Sequence, residues 1–145
     1  MGMILNKNAR REYTITDTIN AGVALLGAEV KTLREGRGSL RDAYARFLNG
    51  ELYLVGADIP RYSHYSGKEY DAKRSRKLLL NKREMFKLQQ QLEGKNLALV
   101  PLKLFFKGRW VKCELGIGKG KKEWEKREDL KKRDTEREIA KAMKN

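Results

Sequence analysis

Two basic stretches interleaved with aromatic rings are the part of this chain whose residue types and spacing can do chemistry. In the first, Lys73, Arg74, Arg76, Lys77, Lys82, Arg83 and Lys87 stand against a single acid, Glu84. The second is a pair of alternating segments. Lys103, Phe105 and Lys107 fall on one side of the first segment, opposite Leu102, Leu104 and Phe106. Trp110 and Lys112 share one side of the next, opposite Val111, Cys113, Leu115 and Ile117. The chemistry is recognition: Lys and Arg neutralise phosphates, and aromatic faces stack on bases. The competing reading makes Phe105 and Trp110 core residues and the lysines a solvated face.

Bond-making chemistry finds little to work with. His64 is the sole histidine, in a loop with Tyr62, Tyr65 and Tyr70, and Cys113 is the sole cysteine, far from it in sequence. Together they make a weak nucleophile pair, and Cys113 fits a buried strand position. A single cysteine gives neither an intrachain disulfide nor a Cys-based zinc site, and it suits a reducing, cytoplasmic location. The run Gly116-Ile117-Gly118-Lys119-Gly120-Lys121 invites a phosphate-loop reading, but it lacks the G-x-x-x-x-G-K-[ST] spacing and a following helix pattern. Glu29, Asp42 and Asp58 are scattered along expected strands, where a metal nuclease needs a tight acidic cluster. The expectation is therefore a binding protein, with no catalytic residue, no metal and no cofactor.

The whole chain agrees. Its 145 residues carry 33 basic and 19 acidic side chains, a net +14. That charge points to nucleic acid or another anionic surface, and the length suits one domain with one core. Met1 to Lys7 has no apolar stretch of the signal-peptide kind, and no run approaches the roughly 20 apolar residues of a membrane span. The Met1-Gly2 start lacks the hydroxyl residue of a myristoylation signal, since position 6 is Asn6.

From Lys119 to Asn145 the chain changes character, with eleven Lys/Arg against seven Asp/Glu. The few apolar residues there, Trp124, Leu130, Ile139 and Met143 among them, do not recur at helical spacing, so no face can dock on a core. Such a segment cannot offset its own ordering entropy. The expected division is a barrel over 1–119 and a basic tail over 120–145, disordered when free and ordering on a polyanionic partner.

The elements that must position these residues read mostly as strands. Arg11 to Thr16 alternates. Asp17 to Ala21 suggests one helical turn capped by Asp17. Gly22–Leu26 and Gly27–Arg34 read as a strand pair or one bent strand with Gly27 at the bend. Asn49-Gly50 joins Asp42–Leu48 to Glu51–Ile59 as a hairpin, because both turn residues must take positive φ. Pro60 to Asp71 reads as a loop. Asn81 caps a helix to Leu92 with Glu84 three residues on, Met85, Leu88 and Leu92 share its face, and Gly94 ends it. Leu97–Lys107 and Arg109–Gly118 form a last hairpin. Short strands with glycine turns imply a six-stranded antiparallel OB-like barrel with flanking short helices.

Four segments together carry a resemblance: Asn6-Lys7-Asn8-Ala9-Arg10 with Tyr13; Ala21-Gly22 through Gly27-Ala28-Glu29-Val30-Lys31-Thr32-Leu33-Arg34; Arg74-Ser75-Arg76-Lys77-Leu78-Leu79-Leu80; and Gly116 to Lys122 with Lys126-Arg127. In order and spacing the chain resembles the SsrA-binding proteins, also called small protein B, bacterial partners of transfer-messenger RNA (tmRNA). The resemblance implies an OB-like adaptor without enzymatic activity. It would bind the tRNA-like domain of tmRNA and fill the volume of its missing anticodon arm. With alanyl-charged RNA, the product of alanyl-tRNA synthetase, and elongation factor Tu, it would enter ribosomes stalled on truncated messages, leading to peptide tagging and ribosome rescue.

Carried over by position, the resemblance puts Asn6, Tyr13, Glu29, Leu79, Asn81 and Lys112 at or near the RNA face. Lys31, Arg34, Arg74, Arg76, Lys77, Lys103, Phe105, Lys107 and Trp110 complete the expected contacts. Gly120, Lys121, Lys122, Trp124, Lys126 and Arg127 match the tail used in the small-subunit decoding centre and vacant message channel. Glu123–Arg127, Glu128–Lys132 and Asp129–Arg133 are i,i+4 pairs that favour a helix there. Asn20, Ala72 and Trp124 depart from the family pattern. Trp124 stands where His or Tyr is frequent, so stacking can persist but a titrating imidazole cannot. Two other readings remain: a general OB-type RNA-binding or ribosome-associated protein without tmRNA specificity, and a structure-specific nuclease, which requires metal-dependent cleavage.

Overall fold

The structure, a computed structural model, describes residues 3–65 and 69–121. In chain order the elements are β1 (Ile4–Leu5), α1 (Ala9–Glu12), β2 (Tyr13–Val23), α2 (Gly27–Arg34), β3 (Tyr44–Leu48), β4 (Glu51–Val55), β5 (Arg76–Leu79), α3 (Lys82–Leu92), β6 (Ala98–Lys107) and β7 (Trp110–Gly120). Six strands close on themselves in the order β6-β3-β4-β5-β2-β7 and back to β6, while β1 adds a short edge to β6. All the pairings are antiparallel, consistent with the OB-like expectation. The ring is thinnest where β3 meets β6, through the single pair Ala45↔Leu99.

Local chemistry sets the turns. Asn49 and Gly50 take φ of 53° and 78°, the positive values a two-residue hairpin needs, and bring Leu48 opposite Glu51. Gly108 takes φ 62° between β6 and β7. Alternation fills the ring's interior: Leu52, Leu54, Leu78, Cys113, Leu115 and Ile117 are buried. Leu88 of α3 joins that core, with Met85 and Leu92 packed against it. Gly118 is required by packing, since a Cβ there would come within 2.1 Å of the Thr14 carbonyl oxygen. The glycines of 116–120 thus belong to a strand and not to a phosphate loop.

Two sequence expectations are corrected, and one strand is added. Asp17 to Ala21 is not a helical turn but the middle of β2, bulged between Ile15 and Asp17. Its partner β7 satisfies the backbone along most of its length, which outweighs Asp17's capping tendency. Gly27 to Arg34 is the helix α2, and the preceding strand ends at Val23. Here Glu29 accepts a hydrogen bond from the Leu26 N–H at 2.8 Å, half of a capping box, and Glu29, Thr32 and Leu33 form its buried face. Arg76 to Leu79, inside the basic stretch, forms β5.

Candidate nucleic-acid interface

The register of four neighbouring strands assembles the candidate site. Leu79 of β5 lies opposite Gly22 of β2, Gly22 lies opposite Lys112 of β7, and Lys112 lies opposite Phe105 of β6. Residues in register across a sheet share a face. Leu78 and Cys113, one position along, are buried inside, so this row faces outward. Lys77 and Trp110, two residues from Leu79 and Lys112, join the same face, and Trp110 lies opposite Lys107. Gly22, without a side chain, leaves the row open at its centre.

That opening is a groove of about 650 Å³ between the ends of β2, β5 and β7 and the start of α2. Leu26, Leu79 and Trp110 give it apolar walls; Arg74, Lys77, Arg109 and Lys112 give it cations. Trp110 is 66% exposed, which rules out the core reading for this ring. The Arg109 guanidinium lies 5.6 Å from its centroid, and Lys103 Nζ lies 5.2 Å from the Phe105 centroid. The face thus offers flat rings beside positive charge, as stacking on bases with phosphate neutralisation demands. Among the described residues no group of His, Cys, Asp and Glu converges to hold a metal ion.

One wall rests on a buried ionic knot. Arg74 donates to Glu29 through Nε at 3.1 Å and Nη2 at 2.5 Å. Arg76 donates through Nε at 2.9 Å and Nη2 at 2.5 Å, and its guanidinium also reaches the Ala57 and Ala72 carbonyls. Burial alone would raise the Glu29 pKa, but hydrogen bonds from Arg74, the Leu26 N–H and Arg76 outweigh it and hold the carboxyl below its ordinary range. α2 is thereby tied to the segment entering β5. Glu29 and Arg76 are fully buried. Both were expected at the RNA face; in the structure they lie beneath the wall and hold it.

The remaining expected residues are distributed. Lys31 and Arg34 stand exposed on α2 with their charges 5.5 Å from the Tyr62 ring and 5.8 Å from the Phe106 ring, outside the groove's lining. Lys103 also lies 3.7 Å from Glu114. Asn81 caps α3, its Oδ1 accepting from the Glu84 N–H at 2.8 Å, so its side chain has a structural task. Asn6 donates to the Pro101 carbonyl at 2.9 Å, beside the middle of β7, and Tyr13 lies opposite Gly120, at the other end of β2 and β7 from the groove; neither lines the groove. Lys121 donates its N–H to the Glu12 carbonyl at 2.7 Å. Lys122, Trp124, Lys126 and Arg127 fall outside the described residues, while the expected division at 119/120 falls at the end of β7, which includes Gly120. The sequence reading missed Leu26 and Arg109. Arg109 was legible as a cation in the turn beside Trp110, whereas nothing in the sequence marks Leu26.

Comparisons with known proteins converge. A family model described as SmpB protein matches residues 3–145. An SsrA-binding protein of Gloeobacter violaceus is 48% identical over 97% of this chain and 93% of its own length. One of Microcystis aeruginosa is 51% identical over 96% of this chain and 91% of its own, and one of Salinispora tropica 50% identical over 94% and 86%. Among solved structures, a chain from work on tmRNA-SmpB in the bacterial ribosome superposes with a TM-score of 0.70 and 44% identity, over 85% of this chain and 87% of its own.

Proposed function

The chain belongs to the SmpB protein family, and on that premise we propose that it is an RNA-binding adaptor of trans-translation. It binds the tRNA-like domain of tmRNA and delivers it to stalled ribosomes, where the stalled peptide is tagged and the ribosome released. The protein contributes no bond-making step; its work is to recognise RNA and position it.

The observation that carries this reading in the fold is the outward row Leu79–Gly22–Lys112–Phe105 beside the exposed Trp110. Rings and cations sit on one rigid face, and the strands hold their spacing before RNA arrives, which lowers the ordering cost of binding. Arg74, Lys77, Lys103, Lys107 and Lys112 meet phosphates, while Trp110 and Phe105 meet bases. Glu29 and Arg76 support that face from beneath. Lys31 and Arg34 extend the positive field along α2.

The tail from Gly120 onward serves the ribosome. An empty message channel is lined by RNA phosphate, and Lys121, Lys122, Lys126 and Arg127 complement it. The i,i+4 pairs become helical there, so ordering is coupled to binding. A channel filled by message excludes the segment sterically, which makes the tail a sensor of absent message. Elongation factor Tu and alanyl-tRNA synthetase are indirect partners through the charged RNA, and the site of action is the cytoplasm.

A reconstituted system tests this reading. Ribosomes stalled on a message cut after the P-site codon, supplied with alanyl-tmRNA and elongation factor Tu, should tag their peptide only when this protein is added. Equal tagging without it removes the adaptor role.

A further inference from the structure

Phe86 has no part in the core. Along α3, Met85, Leu88 and Leu92 turn inward and pack on the barrel, at the spacing that gives a helix one apolar stripe. Phe86 falls outside that stripe and stands 60% exposed. The helix already has the face it needs for docking, so the fold does not account for this ring.

Phe86 borders a second groove, of about 540 Å³, between α3, β5 and the turn of the β3–β4 hairpin. Leu79, Leu80 and Met85 join it as apolar lining, and Lys77 and Lys82 supply cations. Lys77 and Leu79 also line the groove of Trp110, so the two grooves share one ridge on β5 and form a continuous track. Charge favours a polyanion along it. Glu51 is the one acid among the lining residues, and its carboxylate accepts from the Lys77 ammonium at 3.0 Å and from the Tyr53 hydroxyl at 2.8 Å. Glu84 is occupied by the cap of α3, accepting from the Asn81 N–H at 3.2 Å. Lys82, Arg83 and Lys87 are exposed and have no acid partner among the described residues.

Spacing on the helix arranges these groups. Lys82 stands four residues before Phe86 and Gln89 three after it, so ammonium, ring and amide line one side of α3. An unstacked base needs such a set. The ring offers its face, the ammonium meets the phosphate, and the amide brings a donor and an acceptor to the base edge.

We propose that Phe86 stacks an unpaired base of the bound RNA in this groove, with Lys82 on its phosphate, so that the RNA crosses the Leu79 ridge from the Trp110 groove onto α3. The proposal rests on the reading of the barrel face as an RNA interface, and not on which RNA that face selects.

Gel shifts of the full chain with the tRNA-like domain of tmRNA and with bulk tRNA test it, in wild type, Phe86→Ala, Phe86→Leu, Phe86→Trp and, for reference, Trp110→Ala. Ala and Leu are good helix formers and the ring is outside the core, so melting should change little. The stack predicts binding weaker by about 5- to 150-fold in both Phe86→Ala and Phe86→Leu, the range for one stacked base, and restored affinity in Phe86→Trp. A nucleotide protected from base-specific chemical probing in the wild-type complex should become reactive in Phe86→Ala. Wild-type affinity in Phe86→Ala overturns the proposal, and if Trp110→Ala still weakens binding, the RNA face stands without α3. Wild-type affinity in Phe86→Leu shows that apolar bulk suffices and also overturns the stack. Unchanged RNA affinity with lost tagging assigns the groove to a protein partner and overturns it too. Weakened binding of both RNAs, where wild type holds the two equally, supports the stack and counts against tmRNA selectivity, so the two readings fail separately.

Discussion

Glu29→Ala separates a supporting role from a contacting one. The substitution removes five hydrogen bonds, two from Arg74, two from Arg76 and one from the Leu26 N–H. It also strands the Arg76 guanidinium, which is wholly buried and keeps only the Ala57 and Ala72 carbonyls. Breaking a buried pair from one side costs about 3–5 kcal/mol. For a domain of this size that lowers Tm by roughly 10–20 °C. The sign with pH follows from the carboxyl. Its folded pKa lies below the ordinary 4.5, so its contribution is complete above that value and is lost as pH falls through the lower folded one. The gap in Tm between wild type and variant should therefore narrow in acid. The assay is thermal unfolding by circular dichroism across pH, with RNA binding measured at a temperature where the variant is folded. A Tm within about 3 °C of wild type, with RNA affinity lost, refutes the reasoning and puts Glu29 in contact with RNA.

Trp110→Ala should weaken binding of tmRNA's tRNA-like domain about 5- to 150-fold, the range for loss of one stacked base, while Tm changes little because the ring is mostly exposed; gel shift and melting check both. Lys112→Ala should lower affinity and reduce the slope of log K against log salt by about 0.9, the value for one phosphate contact, and an unchanged slope removes it from the interface. Truncation after Gly120 should leave melting and RNA binding nearly intact but abolish tagging; a large fall in Tm contradicts the division of labour. Burial pushes the Cys113 thiol up to about 12, so thiol reagents at neutral pH should label it only on unfolding, and fast labelling of the folded protein contradicts its core position.

How much of this was legible in the sequence depended on range. Features written in adjacent residues came through: the Asn49-Gly50 turn, the Asn81–Glu84 cap, and the outward Trp110 and Lys112 against inward Val111 and Cys113. Features set by distant partners did not. Asp17 looks like a cap until nine register pairs with β7 make its segment a strand. Gly27 looks like a bend until Glu29 folds back on Leu26. The site divided the same way. Alternation identified the exposed rings and lysines, but it cannot distinguish Arg76 from Lys77, of which one is buried beneath the groove and the other lines it. Only the approach of α2, far away in sequence, decides between them. A charged residue count marks a face that attracts RNA, and the closed ring decides which of those charges reach the surface.

The most direct test of the central claim is binding to the tRNA-like domain of tmRNA at about 0.15 M salt, where non-specific phosphate contacts are weakened, with bulk tRNA in excess as competitor. The account predicts binding that survives the competitor, because the face recognises that domain beyond its charge. Binding that tRNA competes away would contradict it and leave a basic OB-type protein held to RNA by charge alone.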